Sequence, residues 1–353
     1  METAIEIARL ANPDLTFEKK HELNLGVELG FLDNRINFVA DWYKRNNFDL
    51  IGITNTMGLG GEVTKYGNVA AMKSGGYELS LTTQNIRSKD FKWTTNFIWS
   101  HSHNMVTKLI TTMRVIDLVR GSGFAQEGFT NHSIFSIPFA GLNEEGLPTF
   151  YGPDGNVTVT GINFQLSDPE QLKYLQYEGT ADPTGVGSIG NTLEWKGLRL
   201  NVFITGSFGN VIRLDQVFRS SYSDLTSMPR EYKNRWTVPG DENITTIPVI
   251  ASRMQSYNYS NLSYAYNAYN YSGERIAKGD FVRLKEVSLS YDLPKNFVKK
   301  MRMNSLSLKL QATNLCLLYA DKKLNGQDPE FFNAGGVAVP VPKQFTLTLK
   351  IGL

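Results

Sequence analysis

The alternation of apolar and polar positions is clearest at the end of the chain. Over residues 345–353, Phe345, Leu347, Leu349, Ile351 and Leu353 fall on one parity, and Thr346, Thr348, Lys350 and Gly352 on the other. Successive side chains of a strand point to opposite faces, so this spacing predicts a strand with one apolar and one polar face. The stretch matches the roughly 9 to 11 residues with which a tilted strand crosses a bilayer. A soluble sheet can show the same pattern, so what matters is how often it recurs.

It recurs along the whole chain. Leu23, Leu25, Val27 and Leu29 alternate with Glu22, Asn24, Gly26 and Glu28, a short polar turn follows at residues 31–34, and Ile36, Phe38, Ala40 and Trp42 return as a hairpin partner. After a glycine-containing loop, Tyr77, Leu79 and Leu81 pair across residues 88–90 with Phe91, Trp93, Thr95, Phe97 and Trp99. Residues 109–190 read as one very long connection, of a kind uncommon in compact soluble domains. Leu198, Leu200, Val202 and Ile204 resume the period, and residues 207–218 are read as a returning strand because the count of crossings closes only with it. A second long connection, residues 219–279, leads to Val287, Leu289 and Tyr291, a strand ended by Pro294. Leu306, Leu308, Leu310 and Ala312 follow, and residues 316–342 deliver the chain to its last strand.

This gives about nine strands, with short turns after Leu29, Arg87, Gly206 and Asp292 on one side and long loops after Leu50, Lys108, Phe218 and Leu315 on the other. Such sorting is the plan of an antiparallel transmembrane β-barrel, with turns facing the periplasm and long loops outside. An odd number of strands with a free edge at each end cannot close in lipid, so the reading is all-β and an incomplete part of a larger barrel.

Composition agrees with this and excludes other classes. Tyr, Phe and Gly number 16, 20 and 31 in 353 residues, a mixture that suits strands and turns. Lys and Arg total 36 against 34 Asp and Glu, so no basic excess points to nucleic acid. No run of about 18 apolar residues is present to form a membrane helix. A mean hydropathy of −0.26 remains compatible with a barrel that alternates its faces. The one cysteine, Cys316, reads as a small buried hydrophobe. Residues 1–10 lack the basic start and apolar core of a secretory signal, so the chain as written is expected to carry no export signal. No nucleophile elbow, phosphate loop, dinucleotide fingerprint or paired hydrolase carboxylates occur, and no enzyme, cofactor or metal is expected.

Several segments carry a resemblance. They are Asn12-Pro13-Asp14-Leu15-Thr16-Phe17-Glu18, Asp41-Trp42-Tyr43-Lys44 with Asp49-Leu50-Ile51, and Asn68-Val69-Ala70-Ala71-Met72-Lys73-Ser74-Gly75-Gly76-Tyr77-Glu78-Leu79. Trp236-Thr237-Val238-Pro239-Gly240-Asp241, Gly279-Asp280-Phe281-Val282-Arg283-Leu284-Lys285-Glu286-Val287-Ser288-Leu289-Ser290-Tyr291, Asn314-Leu315 and Asp328-Pro329-Glu330 follow. In this order and spacing the chain resembles the C-terminal part of the SusC/RagA family of TonB-linked outer-membrane transporters of Bacteroidetes. The resemblance implies that residues 1–353 are the C-terminal part of a plugged 22-stranded barrel whose plug and first strands have no counterpart in the chain. It further implies a location in the outer membrane, a SusD-like surface lipoprotein as lid, oligosaccharide or peptide cargo, outer-membrane lipid around the wall, and contact with the TonB complex only through the plug. Leu353 stands where such strands usually finish in an aromatic residue.

The candidate contact residues are tyrosines. Tyr257, Tyr259, Tyr264, Tyr266, Tyr269 and Tyr271 lie among Ser and Asn, the composition of adaptable binding loops. They suit stacking on sugars or docking of the lid, or else a polar loop packed on itself. His101 and His103 share a face and could hold a metal, but with no Cys or carboxylate beside them they read as lumen or rim residues. Trp42, Trp93 and Trp99 have the parity of the lipid-facing set and are read as an interfacial girdle. Asp154-Gly155-Asn156 and residues 321–330 lack calcium-loop spacing and read as turns. The competing reading is a secreted carbohydrate-active or carbohydrate-binding β-protein. It calls for convergent carboxylates and would not sort loops by length. An adhesive surface protein calls for internal repeats, and none are evident.

Overall fold

The computed structural model describes residues 12–58, 63–218, 229–334 and 342–352. The expectations made for residues 1–10 and for Leu353 lie outside them.

The chain builds one nine-stranded antiparallel sheet in which every strand pairs with the next in sequence. The strands are β1 (Lys19–Phe31), β2 (Ile36–Asn55), β3 (Thr64–Arg87), β4 (Phe91–Leu109), β5 (Gly185–Trp195), β6 (Leu198–Phe208), β7 (Phe281–Asp292), β8 (Ser305–Ala320) and β9 (Gln344–Gly352). β2 and β3, of 20 and 24 residues, run well past the stretches in which alternation is clean.

The register shows why the alternation matters. Residues paired directly across two strands share a face, so pairings can be followed around the sheet. One row runs Leu29, Phe38, Leu81, Phe97, Ile189, Ile204, Leu284 and Cys316. Another begins at Trp93 and runs Leu193, Leu200, Leu289, Leu310 and Leu347. The reverse face carries Asp41 beside Glu78, Thr82 beside Asn96, Asn201 beside Ser288, and Lys309 beside Thr348. It also holds the cross-strand ion pairs Arg45–Glu22 and Arg199–Glu194, each at 2.9 Å. An apolar face across all nine strands, with Leu25 58% and Leu347 66% exposed, is far larger than a soluble monomer tolerates. It suits a bilayer.

The total of nine strands is as expected, but one member differs. Residues 207–218 do not form a wall strand of their own: Ser207 and Phe208 end β6, and residues 209–218 leave the wall. Val211–Arg213 instead pairs with Ile276–Lys278 in a separate two-stranded sheet, with Ile212, Arg213 and Leu214 buried one after another. The missing crossing is β5, which begins within the presumed connection 109–190 and runs past its end. β5 and β6 are joined by Lys196 and Gly197, both at positive φ (47° and 88°), as a tight two-residue hairpin requires. β6 therefore runs away from the short turns, opposite to the direction inferred from the sequence. Cys316 is also corrected: it is exposed, on the apolar face opposite Leu284, where a small soft side chain meets the surrounding medium rather than a protein core.

The long connections are not loose. Residues 110–184, 209–218 and 229–280 together pack a hydrophobic core that includes Val115, Leu118, Phe135, Ile137, Leu147, Phe150, Val217, Phe218, Leu262 and Tyr269. Besides the pair Val211–Arg213 and Ile276–Lys278, this rim unit contains two more small sheets, Ser133–Ser136 with Gln176–Thr180, and Phe139–Leu142 with Pro148–Tyr151 and Val157–Thr158. A parallel bridge between Ile137 and Ser272 joins the first connection to the second.

Candidate functional site

The tyrosine-rich stretch folds as two short helices, Arg253–Asn258 and Leu262–Asn270. The first is capped by Ser252, whose hydroxyl accepts from the Gln255 amide at 3.2 Å, and Gln255 reaches back to the Glu145 carbonyl at 2.9 Å. In the second, Leu262, Ala265, Ala268 and Tyr269 recur at helical spacing and are buried.

That spacing sorts the six tyrosines. Tyr269 is 1% exposed and packs edge-on against Phe139 and Phe218, with ring centroids 5.7 Å away in each case. Burial pushes its phenol well above the ordinary tyrosine range. The half-buried Tyr266 donates its hydroxyl to the Val249 carbonyl at 2.8 Å, while Tyr271 lies under the Arg213 guanidinium at 5.6 Å and beside Phe164. Tyr259 packs against the rim core, and burial, then the charge of Glu145, raise its phenol. Only two of the six offer a large free surface: Tyr257, 87% exposed, and Tyr264, 49% exposed. Met254 and Ile244, at 68% and 83%, are further exposed apolar side chains of the same connection. An open depression of about 520 Å³ is lined by Asn234, Arg235, Asp241, Ile244 and Thr245. Of these, sequence reasoning singles out only Asp241, as part of a resembling segment; the others carry no periodic pattern that would mark them.

Residues 236–241 close on themselves below this surface. Asp241 accepts from the amides of Thr237 and Val238 at 2.9 and 3.1 Å and from the Thr237 hydroxyl, and these bonds hold its carboxyl below the usual range. The Trp236 indole donates to Glu242 at 2.9 Å. The Trp236 ring lies on Gly146, where a Cβ would come within 2.4 Å of it and φ is +74°. Gly155, at φ +77°, has nothing within 4 Å of the same position. Gly146→Ala in the full-length protein is therefore expected to destabilise the rim unit by about 2–3 kcal/mol, against about 1 for Gly155→Ala. Thermal proteolysis of the rim unit can compare the two, and equal effects would mean that the tryptophan contact contributes nothing.

The other residues singled out from sequence are placed as follows. Trp42, Trp93 and Trp99 lie on the apolar face, with Trp93 at the short-turn end and Trp42 and Trp99 toward the other, and β5 adds Trp195 beside Phe91. His101 and His103 are on this same face, not in the lumen, just beyond Trp99, with ring centroids 6.3 Å apart. Asp154 receives the Asn156 amide at 3.1 Å within a turn.

Five segments that carry the family resemblance are tied down by side-chain hydrogen bonds and ion pairs. The Thr16 amide donates to Asn68 Oδ1 at 2.8 Å, Asn68 Nδ2 donates to the Thr16 carbonyl at 2.9 Å, and Glu18 accepts the Ile51 amide at 2.8 Å. Asp280 accepts the Gly209 amide at 2.6 Å, and Arg283 binds Asp328, with Nη2 2.6 Å from Oδ2.

Comparison with known proteins matches this architecture. No protein-family model matches the chain. TonB-dependent receptor P3 of Formosa agariphila is 27% identical over 92% of the chain and 32% of its own length. TonB-dependent receptor P26 of the same bacterium is 25% identical over 99% and 36%. TonB-dependent receptor SusC of Bacteroides thetaiotaomicron is 31% identical over 28% of the chain and 10% of its own length. The RagAB peptide transporter superposes with a TM-score of 0.76 at 23% identity, covering 99% of this chain and 37% of that one. Its open-open state gives 0.74 at 23%, over 97% and 35%. The chain thus resembles TonB-dependent receptors of the SusC/RagA type over nearly all of its length. Its fold is part of an outer-membrane β-barrel, and it spans about a third of the length of the curated receptors that it matches over nearly all of its own.

Proposed function

We propose that this SusC/RagA-type chain is the C-terminal part of a TonB-dependent importer, supplying wall and rim for the uptake of oligosaccharides or peptides. The observation that carries the reading is the sorting of the connections. All four short turns leave one edge of the wall, and the opposite edge bears the folded rim unit with Tyr257 and Tyr264 on its surface. In this reading the rim faces outward and the short turns face the periplasm. The two exposed tyrosines contact cargo or a SusD-like lipoprotein lid, and energy enters through a plug outside this chain. No catalytic step is assigned to it. RagAB, a peptide transporter, favours peptide as the cargo class. The rival reading, a secreted carbohydrate-binding β-protein, does not account for an apolar face nine strands wide.

The test uses the full-length transporter in intact cells. With Cys316→Ser as background, Tyr264→Cys is expected to react with a membrane-impermeant maleimide. Protection of that cysteine in cells lacking any lid protein would reverse the assigned orientation.

A further inference from the structure

Just above the apolar belt, on the same face, the chemistry changes within one step along the strands. Trp42, Tyr77 and His101 form one row across β2, β3 and β4. In the next, Lys44 lies opposite Gly75 and Gly75 opposite His103; in the one after, Asn46 faces Lys73 and Lys73 faces Met105. Lys44 and Lys73 are thus diagonal neighbours, about 7–8 Å apart at their backbones. Gly75 leaves a gap that the His103 ring fills: a Cβ at Gly75 would come within 3.2 Å of His103 Cε1. The imidazole therefore leans across β3 toward Lys44. Lys44, Lys73 and His103 are all exposed.

Among the described residues, no acid balances this patch. Asp41 and Glu78 face each other on the polar side of the wall, Glu22 is held there by Arg45 at 2.9 Å, and Asp49 is taken by Lys19 at 2.9 Å. Among the described residues, neither Lys44 nor Lys73 makes an ion pair.

We propose that Lys44, Lys73 and His103 bind the phosphate groups of lipid headgroups in the leaflet beside the rim. The height of the patch selects a lipid over a soluble anion. It begins two residues, roughly 6.6 Å of strand, above Trp42 and Tyr77, and interfacial aromatic rings sit at headgroup level. A single lipid can lay its acyl chains on the belt formed by Ala40, Leu79 and Phe97 and place its phosphates on the lysines. Basic side chains at that level attract anionic headgroups. The proposal rests on the outer-membrane placement of the wall but needs neither cargo nor lid.

The test takes the full-length protein from outer membranes, as wild type and as the triple variant Lys44→Gln, Lys73→Gln, His103→Gln. Each is placed in phosphatidylcholine nanodiscs doped with a diphosphorylated glycolipid, and native mass spectrometry counts the copies retained. Wild type is expected to keep the glycolipid, the variant to keep about tenfold less, and neither to keep the enzymatically dephosphorylated form. Lys92→Gln on the polar face is expected to match wild type. Equal retention by wild type and triple variant, or retention of the dephosphorylated form, overturns the proposal. So does stripping of the lipid by millimolar inorganic phosphate, which would make the patch a soluble-anion site. Failure of the wild type to fractionate with outer membranes would instead count against the barrel reading, and it is scored before any lipid is measured.

Discussion

Arg213→Met in the full-length transporter is expected to loosen the rim unit by about 3–5 kcal/mol while the wall stays folded. Arg213 is 9% exposed and holds together parts of both long connections. Its Nη2 donates to the Phe135 carbonyl at 2.7 Å, and Nη1 to the carbonyls of Ser272 and Asn270 at 3.2 and 3.4 Å. Burial lowers its guanidinium pKa to about 10, with the charge of Glu178 opposing, so it stays protonated at neutral pH and donates at full strength. Methionine fills similar space but leaves those acceptors unpaired in an apolar setting. Arg213→Lys keeps the charge but not the planar fork, and should recover less than half of the loss. Limited proteolysis in outer membranes reads the rim unit through cuts within residues 110–184 and 209–280. Heat-modifiable migration on gels reads the wall. Wild-type protease resistance in Arg213→Met would show that the three carbonyl contacts do not hold the unit.

Much of the wall was legible because a bilayer imposes a strict two-residue period, and eight of the nine strands announce themselves through it. The one that did not is instructive. In β5 the apolar-face positions 185 and 187 are glycines, and the ring of Trp99 on β4 covers both. A Cβ at Gly185 would lie 2.9 Å from Trp99 Cζ2, and one at Gly187 2.7 Å from Cε3. The apolar cover comes from a neighbouring strand, so the pattern along β5 is blank where the face is continuous. Residues 211–214 erred in the opposite sense. Ile212, Arg213 and Leu214 are all buried because protein surrounds them on every side, and alternation fails where there is no second face to keep polar. The same limit applied to the tyrosines. Composition found the stretch, but only the helical spacing of Leu262, Ala265, Ala268 and Tyr269 showed which rings point inward. Tyr269, counted among the candidates on composition, is a core residue, and of the six only Tyr257 and Tyr264 keep a large exposed surface.

The second large effect is expected where the rim meets the wall, at Arg283. It lies near the rim end of β7, paired with Thr205 on β6 and Leu317 on β8, and is 4% exposed. Its guanidinium reaches Asp328, itself 8% exposed at the side chain, and Nε lies 3.2 Å from Glu330 Oε2. Lys285 adds a longer contact to Glu330 at 3.8 Å, and the Asp328 carboxylate also accepts the Glu330 amide at 3.1 Å. Segment Pro329–Ala334 is in this way tied to the wall by charge, since β8 has already ended at Ala320. Removing one partner strands the other charge where water is scarce, so Arg283→Met and Asp328→Leu should each cost about 3–5 kcal/mol. Together they should cost less than their sum, because two apolar side chains can pack where two charges were paired, and the coupling should be about 2 kcal/mol. Amide hydrogen exchange over residues 322–334 in the full-length protein supplies the four corners of the cycle. If the two losses simply add, Arg283 and Asp328 act independently, and the segment is anchored instead by the Asp321 carboxylate, which accepts the amides of Lys278 and Lys323 at 2.8 and 2.9 Å.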